Sequence, residues 1–243
     1  MVLYFERNLA KIHVYQAPLD RHLRRLNSMV VLSFVEAFER FLKELAASIV
    51  DLVAPHTLDD RLGKFQVKGA ILAAHFEEKT LGRAVCESST WLDCREINGR
   101  FRDLLARPFV EGNYELFKAK SDRRTLVDVL WQLRHSIVHN AGVITKSDAL
   151  KLRLLTRRVV DAPRMLAPTR NDTLCVKLYL DRVVKEINRE VAGELCQLMT
   201  TLLDADATLF DPAIMAQAVA DRFGVQASVA NIMRNPQPTP QPS

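Results

Sequence analysis

Between Trp131 and Thr145 the sequence reads WQLRHSIVHNAGVIT, and Arg134, His135, His139 and Asn140 stand out there as residues able to do chemistry. An arginine presents a planar fork that holds a phosphate through two hydrogen bonds and steadies the charge that grows on it during displacement. A histidine titrates near neutral pH, so His139 can take the proton of a ribose 2′-OH or return one to a leaving 5′-oxygen. The pair suits phosphoryl transfer on RNA without a metal or other cofactor. Its products would be a cyclic phosphate and a free 5′-hydroxyl.

Two other readings stay open at this point. His135 and His139 stand at i and i+4, the spacing of a helical metal pair, with Asp128 one period earlier. No HExxH pattern accompanies them, no third ligand is evident, and the adjacent Arg134 repels a divalent cation, so no metal is expected. Alternatively the group is structural: His139 interacts with the helix carboxy end, Asn140 caps it and Arg134 pairs with an acid. On the expected buried stripe of Leu126, Val129, Leu130, Leu133 and Ile137, Arg134 falls about 100° to one side of Leu133 and His139 about 120° to the other. One helix then carries half a site. Pairing two copies about a two-fold axis would bring two arginines and two histidines into one cleft.

The elements that must position these residues are helical. The segment from Pro18 to Pro55 is expected as one long helix, capped by Asp20, with a core stripe at Leu23, Leu26, Val30, Phe34, Phe38, Phe41, Leu45, Ile49 and Leu52. Glu39 lies at the edge of that stripe, where it can point into a cleft or pair with Lys43 at i+4. Further helices are expected from Thr57 to Lys79, ahead of Pro108, and through the motif, starting at Ser121 or Asp122 and ending near Asn140 and Gly142. A helix capped by Ser147 follows, then a loop between Pro163 and Pro168, then a long helix from Asp172 carrying Val183, Val184, Ile187, Val191, Leu195, Leu198 and Leu202. Asp211, Pro212 and Gly224 bracket a last short helix. With no convincing strand pair, the fold class is all-α. The expected divisions are an extension over 1–18, a helical domain over 19–203, a helical appendage over 204–233 and a proline-rich disordered tail over 234–243.

Charge points the same way as the motif. From Lys118 to Arg170 twelve basic residues face four acids, giving +8 in a chain whose net charge is +5. Such clustering concentrates polyanions, and Arg123, Arg124 and Lys146 flank the motif as candidate RNA contacts. Apolar residues make up 48% of the chain and charged residues 26%, the balance of a soluble globular protein. No apolar run reaches the roughly 18 residues needed to cross a bilayer, and the amino terminus lacks the order of a secretory signal. Cys86, Cys94, Cys175 and Cys196 show no CxxC spacing, so reduced thiols in a cytoplasmic protein are expected.

Arg134, four intervening residues and His139 near the end of an amphipathic helix resemble the signature of HEPN-domain proteins, in which Asn or His often follows the arginine, as His135 does here. The stretch VEAFERFLKEL resembles the early HEPN helix, with Glu39 at the position of a supporting acid, and SDALKLRLL is similar to the helix after the motif in bacterial members. The resemblance spans about Leu19 to Leu203 and implies a helical bundle, here with additional carboxy-terminal helices, that homodimerises around a composite RNA-cleaving cleft. It implies catalysis by Arg134 and His139 with support from His135, Glu39 and Asn140. It also implies a metal-independent endoribonuclease serving as a toxin, with a separately encoded antitoxin, or as a phage-defence effector. Some members of the family keep the fold as non-catalytic modules that bind RNA or a partner protein.

Overall fold

The computed structural model describes residues 2–57, 81–87, 91, 93–107 and 114–224, with side chains from Leu19 onward. The described chain is all-α. Seven α-helices are present among these residues: α1 (Val2–Val53), α2 (Leu81–Glu87), α3 (Cys94–Leu104), α4 (Asp122–His139), α5 (Lys146–Thr156), α6 (Arg170–Ala205) and α7 (Pro212–Phe223). A short 3₁₀ turn, Ala54–His56, follows α1, as the helix-stopping Pro55 requires. Two compact units emerge, Met1–Phe38 with Asp122–Arg182, and Glu39–Ser121 with Val183–Ser243.

The first unit holds the motif. Helix α4 is the 18-residue motif helix, and it buries Val127, Leu130, Trp131 and Ser136. Trp131 packs against Phe38 of α1, ring centroids 5.9 Å apart. The chain leaves α4 through two left-handed residues, Ala141 (φ 49°) and Gly142 (φ 82°). The Gly142 N–H returns to the Ser136 carbonyl at 2.9 Å. This is the helix stop expected of glycine. The chain then forms β1 (Val143–Ile144), which pairs antiparallel with β2 (Arg164–Met165) in a two-stranded ladder the sequence pattern does not announce. Ile144, Ala149 and Leu152 form a small core beneath it, with Val129 of α4 packed alongside.

Two helix starts in this unit share one device. Thr145 caps α5 in a full capping box with Asp148. At the start of α6, the Thr169 N–H and hydroxyl both donate to Asp172 Oδ2 at 2.7 Å, and the Asp172 N–H donates back to Thr169 Oγ1. Each pair satisfies amides that a helix start leaves open. Ser147, the expected cap of α5, lies inside its first turn. Thr145 is the cap because its Oγ1 accepts the Asp148 N–H at 3.2 Å while its own N–H donates back to Asp148 Oδ2 at 3.1 Å.

The second unit is built on the later part of α1, where Leu42, Ile49 and Val50 are fully buried, and on Val183, Ile187, Val191, Leu195, Leu198 and Leu202 of α6. These positions of α6 match the expected stripe; Val184 is half-buried. Gly82 of α2 sits directly against α1. A Cβ there would lie 2.1 Å from the Ala47 carbonyl oxygen, and the Gly82 N–H donates to Asp51 Oδ1 at 2.8 Å. Asp93 caps α3, and Asn98 within α3 exchanges two 2.7 Å hydrogen bonds with the Phe117 backbone. Helix α7 starts at Asp211 and Pro212 and stops at left-handed Gly224, as the sequence foretells.

Several expectations are corrected. Asp20 does not start the first helix, since α1 runs from Val2. The first part of the expected α1 core stripe is on the surface: Leu23, Leu26 and Val30 are 48%, 56% and 40% exposed. Helical period identifies an apolar face but does not supply what covers it. The helix expected over Thr57 to Lys79 and the tail over 234–243 lie outside the described residues, as does most of the segment around Pro108.

Candidate active site

Helix α4 turns differently from the expectation, and this changes where Arg134 sits. Leu126 is 43% exposed, and Val129, Leu133 and Ile137 are only half-buried. The fully covered apolar positions are Val127, Leu130 and Trp131. At about 100° per residue these centre on the direction of Arg134 itself. Arg134 therefore continues a buried face and does not border it. Its Nε is buried without a hydrogen-bond partner, and so is the indole Nε1 of Trp131 one turn earlier. Two orphaned N–H donors on one helix face are costly and call for an acceptor.

The histidines lie elsewhere on the helix. His135 and His139 are exposed, and their rings face each other at 4.8 Å between centroids with a 42° tilt. No group of three metal-ligating side chains occurs among the described residues, so the pair has no third ligand there. Arg134 and His139 are separated by about 140° around α4 at its 100° period. The helix brings His135 and His139 together and holds Arg134 apart from both.

Asn140 has a structural partner. Its Nδ2 donates to Asp148 Oδ2 at 2.9 Å. The same carboxylate accepts from Gln132 Nε2 at 2.8 Å, from the Thr145 N–H at 3.1 Å and from the Thr145 hydroxyl at 2.9 Å. Asp148 is 2% exposed. Burial alone would raise its pKa, but the hydrogen bonds from Thr145, Ser136 and Asn140 outweigh that and hold it below the usual aspartate range. This hub fixes the end of α4 against the start of α5, and with it the backbone beneath His139. By sequence Asp148 reads only as one more charge. The Thr145-x-x-Asp148 spacing was the signal that could have found it.

The remaining candidates are placed as follows. Glu39 forms an ion pair with Lys43 at 3.0 Å, the i+4 partner its spacing offers, with both side chains half-buried. Arg124 pairs with Asp128 at 3.7 Å. The Arg123 carbonyl accepts a hydrogen bond from the Tyr179 hydroxyl at 3.3 Å, which ties α4 to α6. Lys146 is exposed at the first turn of α5, and Lys151, Arg153, Arg157, Arg158 and Arg164 are exposed after it. The basic excess is therefore a solvated surface on the carboxy-terminal side of the motif. A cleft of about 460 Å³ in the same unit is lined by Asp20, Arg24, Asn27 and Arg164 among others, and shares no residue with the motif. No helix among the described residues is long and apolar enough to cross a membrane. Compared with known proteins, the chain matches no family model, no curated protein and no solved structure.

Proposed function

We propose that the chain is a HEPN-type endoribonuclease, independent of metal, in which Arg134 binds and neutralises the scissile phosphate and His139 moves the proton of the attacking 2′-OH. One observation carries this reading: Arg134 holds a buried, unpartnered Nε beside the orphaned Trp131 indole. Both donors sit on a helix followed by exposed basic residues. Arg134 as a residue is only half-buried, so on this reading its outer guanidinium nitrogens meet a phosphate oxygen while the Nε stays inside. The His135 ring lies beside that of His139, while Asn140 and Asp148 hold the helix end in place.

Because Arg134 and His139 diverge around α4, a complete site on this reading takes its arginine and histidine from two copies of the chain. A role as a toxin with a separate antitoxin, or as a phage-defence effector in the cytoplasm, fits such an activity. The same divergence favours a second reading, a non-catalytic helical module that binds RNA or a protein through the basic surface. Cleavage of a mixed RNA pool in EDTA separates the two. On the first reading the wild type yields cyclic-phosphate ends, and Arg134→Ala and His139→Ala each lower the rate at least about 100-fold. If all three proteins behave alike, the enzymatic reading fails; retained RNA binding would then favour the module.

A further inference from the structure

The early part of α1 presents an apolar stripe to solvent. Leu19, Leu23, Leu26, Met29 and Val30 are 57%, 48%, 56%, 56% and 40% exposed. The same helix buries Val31, Val35 and Phe38, at 4%, 1% and 3% exposure, on a face about 130° further round at the helical period. The stripe is thus a second apolar face of a helix whose first face is already in its own core. The Asn27 side chain, bonded to the Pro168 carbonyl at 2.9 Å, limits how far α1 can roll to hide it.

The spacing of the stripe identifies its occupant. Leu19, Leu23, Leu26 and Val30 follow one another at intervals of four, three and four residues, the heptad alternation of a coiled-coil seam. Leu19 and Leu26 take d positions; Leu23 and Val30 take a positions. Upstream, the sequence keeps the same alternation at Ile12, Leu9 and Phe5, with Gln16 at the a position between Ile12 and Leu19. One polar a residue in an apolar seam is a usual register-setting device. Arg21, Arg24 and Arg25 fall at the outer f, b and c positions, and the seam edges carry Asp20, His22, Asn27 and Met29. On the side of Asp20 and Asn27 the seam borders the cleft against the chain's own Arg164, Pro168 and Thr169, with Leu23 in its lining, so a second copy approaches from the side of His22 and Met29.

We infer that the α1 stripe is the seam of a two-stranded coiled coil with α1 of a second copy of this chain. Five half-exposed side chains leave about 450 Å² per copy, within the range of the largest patch on a lone monomer. That is about half of the roughly 800 Å² each partner of a stable pair buries. Helix α1 continues upstream to Val2, and the heptad alternation of its sequence continues with it. The inference stands whether or not the chain cleaves RNA.

The test is the mass of the full chain in solution, by sedimentation velocity over a wide micromolar range. The wild type sediments as a dimer. L23E/L26E, which places four carboxylates in the seam, sediments as a monomer with unchanged helicity, because neither leucine belongs to the buried core. Leu19→Lys weakens the dimer at least about tenfold in Kd and serves should the double variant fail to fold. Leu154→Glu, a substitution at a 75% exposed leucine off the stripe, leaves the dimer intact. A monomeric wild type overturns the inference. So does a dimer that survives L23E/L26E, or one lost equally in Leu154→Glu. RNA cleavage is read separately, so the failure of one proposal is not mistaken for failure of the other.

Discussion

Asp148→Ala is the sharpest test of how the motif is held. The carboxylate is buried at 2% exposure and accepts from Gln132 Nε2, Asn140 Nδ2, the Thr145 N–H and the Thr145 hydroxyl at 2.8 to 3.1 Å. A hydrogen bond to a charged group contributes about 1.5–3 kcal/mol, and a buried donor left without an acceptor costs about 1–3 kcal/mol. The four do not add fully, since water can reach some of the freed donors, so a loss of about 3–5 kcal/mol is expected. Against a total stability of about 5–15 kcal/mol that is a large fraction. Urea unfolding followed by far-ultraviolet circular dichroism measures it. Asp148→Asn keeps the volume but turns an NH₂ group toward donors, and about 2 kcal/mol should be lost. A loss below about 1 kcal/mol for Asp148→Ala would refute the hub, because one ordinary hydrogen bond would account for it.

The pH dependence has a definite sign. Folding holds the Asp148 carboxyl below its ordinary range. Its contribution is then complete above the unfolded value and is lost as pH falls through the folded one. Wild type should lose stability below about pH 4, and Asp148→Asn should show a flatter acid limb there. Equal slopes for the two proteins would contradict the assignment.

Other outcomes can be stated more briefly. Gly82→Ala sets a Cβ 2.1 Å from the Ala47 carbonyl oxygen, a backbone atom that cannot swing away, so α2 must shift. A loss of at least about 2–3 kcal/mol is expected in the same unfolding assay, and a neutral substitution would show that α2 does not approach α1 as described. Burial pushes the Cys86 thiol up to about 12, whereas Cys175 is exposed. Iodoacetamide at mildly alkaline pH should therefore modify Cys175 in the native protein and reach Cys86 only after denaturation, as peptide mass mapping would reveal. Modification of Cys86 at the rate of Cys175 would contradict its burial.

Much of the architecture was legible in the residues. The period of Leu195, Leu198 and Leu202 and of their upstream neighbours places a buried helix face, and Asp211, Pro212 and Gly224 mark a helix at both ends. Such signals are local: spacing and backbone preference act within a few turns and need no distant partner. The chemical residues of the motif were legible for the same reason, since Arg134, His135 and His139 are named by type and spacing alone.

Tertiary structure decided which face of each helix is covered. The pattern of α4 allowed a stripe through Leu126 and Leu133, yet Phe38 packs on Trp131 and turns the buried face toward Arg134. In α1 one apolar stripe entered the core and another, equally regular, stayed outside. Asp148 looked like one more charge until the turn after Gly142 brought it under Asn140 and Gln132. Helical period sets which residues share a face, whereas burial depends on partners brought from far along the chain. That is why the sequence alone could name Arg134, and only the fold could place its Nε among buried groups with no acceptor.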